Sequence, residues 1–321
     1  MPHRPRNLAA PVRHARHASL VFATCLLSIL WVPPLAAKVS ATEKHVAAEV
    51  SAHLESPLLS FETRHYTVHT NLPGQTAKRA AKHLDRFYIV YRELLSSVPG
   101  DPPGRQRVFL FKDKADYVRG LGGLGLDTGM LQSTGGLFWA SQSSANLASY
   151  LGEDSAWGYD RMIETLQHEG FHQFAYAKIG SELPHWVNEG MAEYFEIAKL
   201  RGRRIKRGLL PADRLVTLRE AKAEGELLPF GELLRLDHES WGRNMTSGSP
   251  QGHLQYLQSW ITTHFLLHGD GGRYRQRFGG YLKLLAKGAD SSEAFRTAFK
   301  TDDTTAFGKA VAAFIDSADA D

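Results

Sequence analysis

The hydrophobic pattern of this chain changes period part-way along, and that change restricts the possible folds more than any other feature. Phe61–Thr70 alternates apolar and polar residues and is rich in β-formers, so it predicts a strand. Val108–Phe111 and Leu137–Ala140 predict two more. Between the first two, Ala80, Leu84, Phe87, Tyr88, Tyr91, Leu94 and Leu95 recur at helical spacing and predict an amphipathic helix over 75–97. A short helix follows near 113–121. The glycine-rich stretch Gly120–Gly136 predicts loop, because its glycines lack the spacing of a phosphate-binding turn after a strand. From residue 159 the pattern is helical: about 159–178, 185–200, 212–223, 251–268, 273–287, 291–299 and 303–317. Strands first and helices afterwards predict an α+β fold.

The first 37 residues have a different character. Arg4, Arg6, Arg13 and Arg16 precede an apolar run from Leu20 to Leu35, followed by Ala36 and Ala37. Basic start, apolar centre and small residues in that order predict a signal peptide and export to the periplasm or beyond. Roughly 16 apolar residues are short for a bilayer span, and an uncleaved membrane anchor is the alternative. No later segment is long and apolar enough to span. We therefore divide the chain into a leader (1–37), a linker or short helix (38–60), a β-containing N-terminal subdomain (61–205) and a helical C-terminal subdomain (206–321).

Two totals exclude function classes. The net charge of +4 comes from those four leader arginines, so the remaining body carries as many acidic as basic side chains. Nucleic acid is not expected as a partner, since phosphate binding needs a concentrated basic surface. The single cysteine, Cys25, lies in the leader, which excludes disulfides, thiolate catalysis and cysteine-bound zinc in the body.

The chemistry is concentrated in His168-Glu169-Gly170-Phe171-His172. Residues four apart stand on one face of a helix, so two imidazoles can reach one ion while Glu169 sits beside it. A surface helix pairing its own histidines would give the same five letters. The neighbouring sequence favours zinc. Seventeen residues after His172, a second predicted helix carries Glu189, Glu193 and Glu196. Glu189 is expected to complete a two-histidine, one-glutamate site that leaves a position for water. Glu193 is expected to accept a hydrogen bond from the far nitrogen of a ligating histidine. Glu196 is read as a solvated face.

These residues resemble the gluzincin metallopeptidases, the thermolysin-like and peptidase MA-like group, which join such a motif to a downstream glutamate. The matching segments are His168–His172 and Asn188-Glu-Gly-Met-Ala-Glu193-Tyr194. More specifically, the chain resembles a bacterial exported family catalogued as domain of unknown function 1570. That likeness runs over roughly residues 61–300, through His65–Asn71, Val108–Asp113, Thr134–Phe138, His168–Phe174 and Trp186–Glu196. The resemblance implies a zincin-like arrangement. It also implies an edge strand holding the substrate backbone at Gly135, Gly136, Leu137 and Phe138, a sound way to bind an extended peptide. It implies an oxyanion donor at Tyr256, with His253 as alternative. Gluzincin aminopeptidases keep a glutamate in the edge-strand motif, and no acidic residue occurs between Gly129 and Asn146. The expected function is therefore an exported Zn2+-dependent endopeptidase acting on a peptide or protein substrate, with Glu169 as general base. A zinc-bearing binding protein of the cell envelope and a zinc hydrolase of a non-peptide amide are the rivals.

Overall fold

The structure, a computed structural model, describes residues 45–141, 144–152, 158–180 and 183–321. The predicted leader lies outside the described residues. The described chain runs α1 (Val46–Ala52), β1 (Leu59–Glu62), β2 (Tyr66–Thr70), α2 (Gly74–Leu94), β3 (Gln106–Phe111), α3 (Lys114–Gly123), α4 (Thr128–Ser133), β4 (Gly136–Ser141) and β5 (Ser144–Tyr150). It continues with α5 (Tyr159–Ile179), α6 (His185–Glu196), β6 (Lys199–Arg201), β7 (Arg204–Lys206), α7 (Ala212–Glu224), α8 (Phe230–Leu233) and α9 (His238–Thr246). It closes with α10 (Gln251–Gly272), α11 (Arg275–Leu285), α12 (Ser291–Phe299) and α13 (Thr304–Ser317). The fold is α+β.

The main sheet has the order β1-β2-β3-β5-β4; β2, β3 and β5 are parallel, and β1 and β4 are antiparallel edges. Period-two alternation sends Val108 and Leu110 of β3 to one face and Phe109 and Phe111 to the other. The first face packs on α2 and α5. The second is covered by Val46 and Val50 of α1, Tyr117 and Leu121 of α3, and Leu131 of α4. The first core continues without interruption through α6 and α10 to Ile315, across the expected boundary at 205/206.

Three sequence expectations are corrected, and the structure adds elements that were not expected. The run Phe61–Thr70 is two antiparallel strands, because Asp85 of α2 accepts from the Thr63 hydroxyl and the His65 amide and pins a turn between them. The glycine-rich stretch holds the end of α3 and all of α4, whose first turn is capped by Asp127 accepting from the Met130 amide. β5 went unread, since Ser144-Ala-Asn-Leu-Ala-Ser-Tyr150 has weak alternation; its two neighbours in the sheet make it a strand. Helix α6 ends at Glu196 rather than near 200, and a β6–β7 hairpin follows. The short helices α8 and α9 were also unread.

Helix α6 is buried along its whole length, between α5 on one side and α10 on the other. Gly190 permits that approach. A Cβ there would lie 2.4 Å from the Ser259 carbonyl oxygen and 2.5 Å from Thr263 Oγ1. Gly190→Ala is therefore expected to cost about 1–3 kcal/mol of stability by overpacking, despite alanine's better helix propensity. Urea unfolding measures this, and an unchanged midpoint would mean that α6 and α10 separate without penalty.

Candidate metal centre

Helix α5 carries His168, Glu169 and His172, and it ends on Gly180 in the left-handed conformation (φ 76°). Pro184 opens α6, which lays Glu189 against the two histidines. His168 Nε2 lies 3.3 Å from Glu189 Oε2, and His172 Nε2 lies 3.6 Å from the same oxygen. All three residues are almost wholly buried (0%, 2% and 1% exposed). Among the described residues, the three converging atoms have no hydrogen-bond partner of acceptable geometry. Buried polar atoms left in this way are costly unless something else satisfies them. Together they form a group able to hold a metal ion.

The opposite ring nitrogens are engaged. His168 Nδ1 lies 2.9 Å from Glu196 Oε2, and His172 Nδ1 lies 3.1 Å from Asn188 Oδ1. Acceptors at both Nδ1 positions favour Nδ1–H and leave Nε2 lone pairs for a metal. The orienting carboxylate is thus Glu196, correcting the expectation that Glu193 has this role and that Glu196 is a solvated face. Glu193 is instead drawn to Arg214 of α7, at 2.6 Å, and that guanidinium also stacks over Trp260. Glu196 takes Arg161 at 3.2 Å through its other oxygen.

Charges follow from this packing. Burial opposes a proton on His168, but the adjacent carboxylates of Glu189 and Glu196 outweigh it and hold the ring's pKa well above its ordinary value. Burial pushes Glu189 up, yet His172 and His168 hold its carboxyl down at about 2. Glu169 differs. Burial raises its carboxyl above the usual range, more than the two histidines lower it.

Glu169 also links the helix to the sheet. Its Oε2 accepts the Phe138 amide at 2.8 Å, while Oε1 is buried without a partner among the described residues. That bond shows the Phe138 N–H pointing away from β5, so among the described residues β4 is the outer edge of the sheet, with Glu169 against it. By alternation Gly136 and Ala140 present their backbone groups the same way. Gly136 has no room for a side chain: a Cβ would meet Thr165 Cγ2 at 2.4 Å. Gly135 precedes the strand, its carbonyl held by the Ser149 hydroxyl, and Leu137 turns into the second core.

Tyr256 and His253 of α10 line a cavity of about 520 Å³ that also exposes Glu193, Glu196 and Arg214. Tyr256 is buried against Trp241, with ring centroids 5.0 Å apart. Burial first, and then the charges of Glu189, Glu193 and Glu169, raise its hydroxyl well above 10, which keeps it a donor at neutral pH. Burial and then Arg214 lower His253.

Residues 162–286 match the model of a family described as "Protein of unknown function (DUF1570)". The match runs from α5 to one residue past α11 and contains His168, His172 and Glu189. It supports the 1570 family over a narrower span than the motifs suggested. No curated protein matches the chain.

Proposed function

We infer that the chain is a zinc-dependent endopeptidase of gluzincin type, with a zincin-like arrangement of β4, α5 and α6. The observation that carries this reading is the convergence of His168 Nε2, His172 Nε2 and Glu189 Oε2, all buried and otherwise unsatisfied. Two donors bound at about 2.0–2.1 Å to a tetrahedral ion stand about 3.3–3.4 Å apart. The separations of 3.3 and 3.6 Å to Glu189 fit that edge, and two imidazoles with a carboxylate form a set that zinc accepts. Zinc held there would acidify a bound water and polarise the scissile carbonyl.

The chain's own groups do the rest. Glu169 uses Oε2 to hold the Phe138 amide and keeps Oε1 for the water's proton. Burial raises its proton affinity, which suits a base that must carry the proton and then release it to the leaving amine. β4 is the last strand of the sheet among the described residues, so an extended peptide can add beyond it near the half-buried Ala140. This recognition reads backbone rather than side chain. Tyr256 supplies a neutral hydroxyl for the developing oxyanion. The cavity beside it takes a flanking side chain of the substrate. Export through the 1–37 leader belongs to the same proposal, and N-terminal sequencing of the mature chain reads its removal.

A peptide-library digest with the purified chain decides the activity. Internal cleavage is expected with zinc present and none after chelation. Metal content near one zinc per chain with no cleavage of any peptide would favour the binding-protein reading instead.

A further inference from the structure

The motif is bracketed by two buried glutamines, Gln167 immediately before His168 and Gln173 immediately after His172. Neither touches the converging nitrogens, and they hold different parts of the molecule. Gln173 donates to the Arg107 and Ala145 carbonyls at 2.7 and 2.9 Å and so anchors α5 to β3 and β5. Gln167 donates to the carbonyls of Phe195, Glu196 and Ala198 at 2.8, 2.6 and 3.1 Å. These lie at and just past the C-terminal end of α6, where helical carbonyls run out of partners within the helix; the Phe195 carbonyl also accepts the Ala198 amide at 3.0 Å.

We propose that Gln167 is a positioning residue: it fixes the last turn of α6 so that Glu196 reaches His168 Nδ1 and turns Nε2 toward the metal position. This rests on the metal reading above. The connection is short and continuous. Gln167 and His168 are adjacent on α5, Glu196 offers its backbone carbonyl to the first and its carboxylate to the second, and both contacts are buried. Without the carboxamide, the α6 terminus would be free to take its carbonyls elsewhere. Glu196 would then be left to Arg161, which already holds its other oxygen at 3.2 Å.

His83 of α2 fixes the direction of the carboxamide. Its Nε2 lies 2.8 Å from Gln167 Oε1, and an amide oxygen only accepts, so Nε2–H is the donor. Burial holds this ring down at about 4, against the opposing pull of the Gln167 bond, so it is neutral at pH 7. With Oε1 committed to His83, both amide hydrogens face the α6 carbonyls. A chain of contacts thus runs from His83 through Gln167 and the α6 terminus to Glu196 and His168.

Gln167→Met keeps the length and burial of the side chain and removes its donors; Gln173→Met does the same on the other side of the motif. Zinc affinity is read by competition with a chromophoric chelator, and the His168 Nδ1–H resonance by NMR of the zinc-free chain. Gln167→Met is expected to weaken zinc about 10–100-fold, the usual cost of losing the support behind a ligand, and to broaden that resonance by exchange. Gln173→Met is expected to lower the thermal midpoint while zinc affinity stays within about threefold. The proposal is overturned if Gln167→Met leaves affinity and resonance as in the parent, or if both variants weaken zinc in step with their loss of stability. Should the parent bind no zinc, the metal reading fails alone, and the resonance still decides the role of Gln167. If Gln167→Met does not fold, His83→Phe keeps the stacking on Phe87 but lacks the donor. It is expected to shift the resonance in the same direction, and no shift would overturn the proposal.

Discussion

Glu169→Gln is expected to reduce kcat/KM about 10²–10⁴-fold while zinc content stays at the parent level. The substitution is nearly isosteric, and the amide's oxygen can still accept the Phe138 N–H that Glu169 Oε2 accepts at 2.8 Å. What it loses is the unpartnered Oε1, replaced by an amide nitrogen that takes no proton. Neither histidine nor Glu189 changes, so the metal group remains intact. Kinetics on a peptide cleaved by the parent, together with metal analysis of both proteins, give the result. Parental turnover in the variant would exclude Glu169 as the base. Loss of zinc alongside turnover would show that its carboxylate supports the metal instead.

Glu189→Ala should have the largest effect on the metal itself, weakening zinc by at least about a hundredfold, because it removes a donor rather than a support. Ligand binding stabilises a folded chain by RT ln(1 + [L]/Kd), about 2.7 kcal/mol at a hundred times Kd. The parent should therefore gain that much from zinc at such a concentration, and the variant almost nothing. Thermal unfolding with and without zinc reads the difference. A variant stabilised like the parent would remove Glu189 from the site.

The same site predicts a pH dependence. His168 lies between Glu189 and Glu196, which raise its pKa above the ordinary value against the effect of burial. A metal needs the neutral ring, so binding must expel that proton. Zinc affinity should fall as pH drops below the raised pKa, and the competition should already be felt at neutral pH. Calorimetry in two buffers of different ionisation enthalpy counts the released protons. A count of zero at pH 7 would mean that His168 is neutral before the metal arrives.

How much of the site was legible depended on whether its geometry is local. His168 and His172 share a helix, so the four-residue repeat alone puts them on one face. Glu169 follows from the same repeat. Glu189 is on another helix, and only the resemblance and the spacing suggested it; the structure brings its oxygen to 3.3 Å from His168 Nε2. From sequence, Glu193 ranks over Glu196, which is the wrong way round, since both lie on α6 within two turns of Glu189 and nothing local separates them. Arg214 settles it by drawing Glu193 away, and Arg214 belongs to a third helix. Gln167 gave no signal at all, because a buried glutamine is visible only once the carbonyls it caps are in place.

The strands show the same division. Val108-Phe-Leu-Phe111 declared itself through its own β-branched and aromatic residues, but β5 is a strand because β3 and β4 lie on either side of it. The sequence by itself determined the α+β class, the long helices and the histidine pair, since each depends on contacts within a few residues. Only the tertiary structure decided which carboxylate faces which nitrogen, and that β4 is an edge beside Glu169. Those facts depend on where separate helices and strands meet, and no local period encodes the distance between two elements far apart in the chain.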